Sequence, residues 1–218
     1  MADFAAARRN MLESQLIPNR IGNPELLAAM GALERERFLP PLLHGVAYVD
    51  EDIELGQGRF LMEPLVLARL VELLAPAKDE DALEIGAGTG YGTAVLARLC
   101  HSVVGLEADA RLASDAAATL RDLGVRNAIV TGGALERGYS ARAPYDLILI
   151  GGAVEAVPDA ILDQLGEGGR LATVIRAPGK VGRTTLIARR GGLLETRQLH
   201  DAATLPLPGF ARPRAFSF

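Results

Sequence analysis

The chain is short of the residues that would make most alternatives plausible. It has one cysteine, Cys100, among 218 residues, which excludes an internal disulfide framework and suits a reducing, cytoplasmic setting. Tryptophan is absent and aromatics are few. No apolar run approaches the ~20 residues that a membrane span requires. The opening Met1-Ala2-Asp3-Phe4 has an early acid and no apolar segment behind it, which predicts no secretory signal. The three histidines, His44, His101 and His200, lie far apart without metal-ligand spacing. There is no G-x-x-x-x-G-K-[ST] run for a phosphate loop, and the residues around Ser140 fail the G-x-S-x-G pattern of a nucleophile elbow.

What is present is a large apolar fraction, 49%, enough for the core of one domain with a small appendage. The net charge of −4 is unevenly spread. From Arg170 to Phe218 there are nine basic residues against two acids. Such a segment reads either as a surface for an anionic partner or, preferably, as a solvated hairpin on an acidic body. Basic and aromatic residues do not interleave there, so nucleic acid is not an expected partner.

Along the chain, residues 3–16 carry a helical apolar stripe. Asn23-Pro24-Glu25 has the cap, the first-turn proline and the first-turn acid of a second helix. Residues 42–63 look irregular, and Pro64 starts a helix through Leu74. From residue 82 the pattern alternates: strands at 82–85, 102–106, 127–131, 145–150 and 170–175, with helices at 91–100, 109–122 and near 158–165. Apolar strands separated by helices predict a doubly wound, mostly parallel α/β sheet. Segments 184–188 and 193–199, flanking Arg190-Gly191-Gly192, predict a C-terminal antiparallel hairpin. The last stretch, with Pro206, Pro208 and Pro213, reads as an extended or mobile tail. The division expected is an N-terminal helical, substrate-side extension over 1–75 and a cofactor-binding domain over 76–218.

In such a sheet, ligands bind at the carboxyl ends of the strands. Four features meet there: the turn Gly86-Ala87-Gly88-Thr89-Gly90, the carboxylate Glu107 with its neighbour Ala108, the Gly132-Gly133-Ala134 run, and Gly151-Gly152-Ala153. A dinucleotide fingerprint would place a small residue at Tyr91. Glu84, two residues ahead of the turn, disfavours a pyrophosphate and suits a ligand with an ammonium group. Glu107 is placed to accept from ribose hydroxyls. Together they point to S-adenosylmethionine, with a nicotinamide cofactor as the alternative. A structural role for Glu84, bonded to the N–H groups of the turn, is the other reading of that residue.

The chain resembles the protein-L-isoaspartate O-methyltransferase family over roughly residues 10–175. The resemblance rests on Met11-Leu12-Glu13-Ser14-Gln15-Leu16, Glu34-Arg35-Glu36-Arg37-Phe38-Leu39-Pro40, Ala47-Tyr48-Val49-Asp50, Leu83 to Tyr91, Pro144-Tyr145-Asp146-Leu147-Ile148 and Gln164 to Leu171. It implies a Rossmann-like cytoplasmic methyltransferase that uses S-adenosylmethionine to methylate L-isoaspartyl carboxylates in damaged proteins, a protein-repair step. Its partner would be a protein or peptide, with no nucleic acid and no membrane. The cofactor-binding residues it implies are Glu84, Gly86, Ala87, Gly88, Gly90, Tyr91, Glu107, Ala108, Gly133 and Ala134.

Two departures stand out. The family's loop resembles Gln-Thr-Ile-Ser, a small residue and Pro; here it is Arg59-Phe60-Leu61-Met62-Glu63-Pro64. Leu61, Met62 and Pro64 would form the substrate side, with Met62 where the serine is expected, and Glu63 adds a charge. The family's Gly-Asp-Gly is Gly132-Gly133-Ala134, leaving Glu136 as the nearest substitute for the adenine-side acid. These departures keep two alternatives open: the same fold with another methyl acceptor, and a non-catalytic descendant that binds the cofactor.

Overall fold

The computed structural model describes residues 3–211. Asp3 caps Phe4–Asn10 (α1) by accepting from the Ala6 N–H. The rod continues through Met11–Leu16 as a π-helix, so the helix expected over 3–16 changes pitch midway, and the wider half buries Met11 and Leu16. Asn23 caps Pro24–Ala32 (α2), its Oδ1 accepting from the Glu25 and Leu26 N–H groups. Two 3₁₀ turns follow, Arg35–Phe38 and Pro41–Val46.

Residues 42–63 are less irregular than the sequence suggests. They contain a hairpin of Ile53–Gly56 (β1) and Arg59–Leu61 (β2), closed by Gly56, Gln57 and Gly58, all at positive φ. Strands this short leave no readable alternation. Pro64–Leu74 (α3) then buries eight of its residues.

The second part builds a seven-stranded sheet. Its elements are Asp81–Ile85 (β3), Tyr91–Ala97 (α4), Ser102–Glu107 (β4), Ala110–Asp122 (α5), Ala128–Gly132 (β5), Tyr145–Val154 (β6), Asp159–Leu162 (α6), Leu165–Ile175 (β7), Gly182–Arg190 (β8) and Leu193–Ala202 (β9). The order is β5-β4-β3-β6-β7-β8-β9. The first five strands in that order pair in parallel, and β8 and β9 are antiparallel. The chain leaves β3 for β4 on one side and returns to β6 on the other, so the switch point lies between β3 and β6.

Alternate residues of the strands feed two hydrophobic clusters. Ala82, Val103, Leu147, Leu149 and Ala172 join the N-terminal helices, α3 and α4 in one. Leu83, Ile85, Val104, Ile148 and Ile150 form the other, together with Leu207 and Phe210. A parallel sheet needs cover on both faces, and the extension before residue 75 supplies part of one. Three basic residues of the segment from Arg170 on are committed to structure. Arg170 pairs with Glu80 at 2.8 Å, Arg189 donates to the Leu162 and Leu165 carbonyls, and Arg176 donates to the Thr204 carbonyl.

Of the two readings of the tail, extended or mobile, the described part is extended and docked: Leu207 and Phe210 are buried, and the Leu207 N–H donates to the Ala153 carbonyl at 2.8 Å. The prolines keep it extended, and its apolar residues bind it to the sheet end. Pro213 lies outside the described residues. No helix among the described residues is long and apolar enough to cross a membrane.

Leu70 in α3 is fully buried, whereas Leu42 is 97% exposed. Leu70→Ala is expected to lower unfolding stability by about 2–5 kcal/mol and Leu42→Ala by less than about 0.5 kcal/mol, measured by urea denaturation. Equal losses would contradict this packing.

Candidate functional site

The glycine turn sits at the switch point. Gly86, Gly88 and Gly90 all have positive φ, at 84°, 56° and 91°, a region that L side chains rarely adopt. The turn is pinned from β4, where the Leu106 carbonyl accepts from the Gly86 and Ala87 N–H groups at 2.8 and 3.0 Å. Beside it, β6 carries two extra residues against β7 between Leu149 and Ala153, the stretch that holds Gly151 and Gly152. A Cβ on Gly151 would meet the Gly86 carbonyl at 3.0 Å, so glycine there lets the two strand ends approach.

Glu107 ends β4 fully buried. Its Oε2 accepts from the Gly88 N–H at 2.6 Å, and its Oε1 accepts from the Ala108 and Asp109 N–H groups at 2.8 and 3.0 Å. Arg59 then grips both oxygens, Nε to Oε1 at 2.9 Å and Nη2 to Oε2 at 2.7 Å. Burial works against the charged form. The Arg59 hydrogen bonds and charge, with the Asp109 and Gly88 N–H groups, outweigh it and hold the carboxyl below its usual range.

Glu84 has the opposite environment. Its side chain lies beneath the first turn of α4, where Thr93 Oγ1 donates to Oε2 and a Cβ on Gly92 would collide with Oε1. Burial pushes it up to about 8, against the Thr93 hydrogen bond and with help from the Glu107 charge, so it is mostly neutral at pH 7. The structure therefore places Glu84 as a buttress between β3 and α4. Tyr91 also turns inward. Its ring meets Phe38 edge-on at 5.3 Å and lies under the Arg35 guanidinium at 4.7 Å. Ala87 is buried toward β4, while Ala108, Gly133 and Ala134 are exposed beside Glu107, with the Gly133 N–H on the Glu107 carbonyl at 3.1 Å.

Of the residues expected on the substrate side, Leu61 and Met62 are buried in the first cluster and Pro64 opens α3. Arg35 ties this loop to the turn, since Nη2 donates to the Met62 carbonyl and Nε to the Ala47 carbonyl, each at 2.7 Å, while its charge rests on Tyr91. Glu63 is half-buried, and its carboxyl is pushed up to about 7 by burial and by Asp50 and Asp52.

The sequence reading missed Arg35 and Arg59. Arg35 sits in the charged run Glu34-Arg35-Glu36-Arg37, which entered only as part of the family resemblance. Arg59 was legible only as the position where the loop departs from Gln.

The donor set at the turn suits a ribose, with a carboxylate and turn N–H groups held as one unit. The space beside it is taken by the chain. A Cβ on Gly86 would meet Leu207 at 2.8 Å and Arg59 at 3.2 Å, and one on Gly152 would meet Leu207 at 3.0 Å and the Phe60 ring at 3.2 Å. A cavity of about 360 Å³ lies on the other side of Thr89, toward Arg37, Leu55 and Arg111.

A model of the protein-L-isoaspartate(D-aspartate) O-methyltransferase (PCMT) family matches residues 7–209. The protein-L-isoaspartate O-methyltransferase of Methylorubrum populi is 39% identical over 204 residues, covering 93% of this chain and 95% of that protein. That of Vibrio cholerae is 37% identical over 204 residues, covering 94% and 97%. A solved protein-L-isoaspartate O-methyltransferase superposes with TM-score 0.79 at 23% identity, over 95% of this chain and 67% of that one. A Plasmodium falciparum structure solved with S-adenosyl-L-homocysteine gives 0.78 at 18%, over 96% and 100%. At these identities the two structures bear on the fold alone.

Glu63 generates a pH prediction. Raised from the usual 4.5 to about 7, it costs the folded state nothing below pH 4.5, where both states are protonated, and its full penalty above pH 7. Glu63→Gln should stabilise by about 1 kcal/mol at pH 8, a figure reduced for solvent screening of a half-exposed group, and by nothing at pH 4. Denaturation at both pH values checks this; an equal effect at both would contradict it.

Proposed function

The chain belongs to the protein-L-isoaspartate(D-aspartate) O-methyltransferase family, and from that premise we propose that it methylates the carboxylate of L-isoaspartyl residues in damaged proteins. The observation that carries the reading is the joining of the glycine turn to Glu107 through the 2.6 Å Gly88 hydrogen bond. It puts the ribose acceptor and the close-approach turn in one rigid unit at the switch point.

S-adenosylmethionine supplies, when bound, a methyl group made electrophilic by its sulfonium. The residues we assign to holding it are Glu107 for the ribose hydroxyls, Gly86 to Gly90 for close backbone approach, and Ala108, Gly133 and Ala134 on the adenine side. Glu84 and Tyr91 support this set from behind by fixing the start of α4. The acceptor carboxylate is already ionised at neutral pH, so no general base is required. The chain must hold the acceptor in line and keep water out. We assign that task to the 1–75 extension, through Leu61, Met62 and Pro64, with Arg35 fixing the loop. A thioether at Met62 makes no strong hydrogen bond, so the acceptor must be held by other groups here. Burial pushes the Cys100 thiol up to about 12, which keeps it protonated and unreactive. A chain without disulfides suits repair in the cytoplasm.

Labelled methyl from S-adenosylmethionine is expected to enter an isoaspartyl peptide and not its aspartyl counterpart. Transfer to another acceptor in extracts, with isoaspartyl peptides inert, would move the function to that acceptor. No transfer to any acceptor would overturn catalysis.

A further inference from the structure

The cofactor cleft is closed by two pieces of the chain itself. One is Arg59, carried on the β1–β2 hairpin, whose guanidinium takes both oxygens of Glu107. The other is the segment after β9. It crosses the carboxyl end of the sheet from Ala153 on β6, past Gly86, to Glu136 beyond β5. The Leu205 carbonyl accepts from the Ala153 N–H at 2.9 Å and the Leu207 N–H donates back to Ala153 at 2.8 Å. Asp52 Oδ2 accepts from Thr204 Oγ1 at 2.7 Å and from the Leu205 N–H at 2.8 Å. Farther on, a Cβ on Gly209 would lie 2.9 Å from Glu136. Between these anchors Leu207 fills the space over Gly86 and Gly152.

The closure is incomplete in one respect. Arg59 is 4% exposed, and its buried Nη1 has no hydrogen-bond partner among the described residues. The carboxylate therefore takes two of the three guanidinium nitrogens. The segment joins the sheet through a single bridge, Ala153 to Pro206, rather than through a strand ladder. Neither element is a strand of the seven-stranded sheet. Glu107 would keep its three backbone N–H donors, and the ribose hydroxyls would replace the guanidinium.

We propose that Arg59 and the 204–210 segment form an internal latch, and that the methyl donor binds only by displacing them from Glu107 and Gly86. The latch makes Arg59 the residue that sets cofactor affinity. This rests on the methyl-donor reading of the cleft, and the test separates the two.

Calorimetry with S-adenosylhomocysteine on the full chain, Arg59→Gln and Leu207→Ala reads the affinity. Hydrogen exchange at the Leu205 and Leu207 amides reads the segment. The latch predicts at least tenfold tighter binding by Arg59→Gln, a smaller gain for Leu207→Ala, and loss of protection at both amides when wild type is saturated. Leu207→Ala lies outside the ion pair and keeps the test open should Arg59→Gln fail to fold. Binding by wild type that neither variant tightens, with both amides still protected, would overturn the latch and leave the cofactor reading intact. No binding by any of the three would overturn both.

Discussion

A fully buried carboxylate must be paired or protonated, and Glu107 is paired. Five hydrogen bonds converge on its two oxygens, from the turn, from the start of α5 and from Arg59 on the β1–β2 hairpin. That one group therefore ties the N-terminal extension to the carboxyl end of the sheet. Removing one partner of a buried pair typically costs ~3–5 kcal/mol, although the backbone donors would soften the loss here. The placement of the β1–β2 hairpin against the sheet end follows from how this charge is compensated.

Two carboxylates near the same turn are held in opposite states by their surroundings. Glu107 has a cation and backbone N–H groups and stays ionised. Glu84 has little but a threonine hydroxyl and the nearby charge of Glu107, and it is pushed up to about 8. The Glu107 charge helps to push Glu84 up, while Glu107 keeps its own charge through Arg59 and the Asp109 and Gly88 N–H groups. Arg35 plays the corresponding part on the other side of α4, joining the Met62 loop to Tyr91 through carbonyls and a ring face.

Much of this was legible in the sequence. The alternation of strands and helices after residue 81 gave the sheet, because long buried strands and capped helices leave strong periodic signals. The turn was legible because close backbone approach demands glycine, and Glu107 was legible as a carboxylate closing the strand beside it. What escaped has common causes. The β1–β2 hairpin is too short for its period to show. Arg35 and Arg59 are buried cations, and a charge in sequence reads as solvent-exposed until a partner far along the chain is known; Glu107 lies 48 residues from Arg59. For Glu84 a ligand role and a structural one both stayed open, since nothing local reveals that Gly92 and Thr93 make room for it behind the turn. The tail read as extended or mobile from its prolines, and it is Leu207 and Phe210 that decide its place through residue 211.

The glycine turn and Glu107 meet the β1–β2 hairpin and the tail at one strand end. On the proposal above, Glu107 serves the ribose of S-adenosylmethionine once Arg59 lets go. A crystal structure with S-adenosylhomocysteine tests this most directly. The account predicts the ribose hydroxyls on Glu107, with Arg59 and Leu207 moved out of the cleft. A ribose bound elsewhere, with the Arg59–Glu107 pair intact, would contradict it.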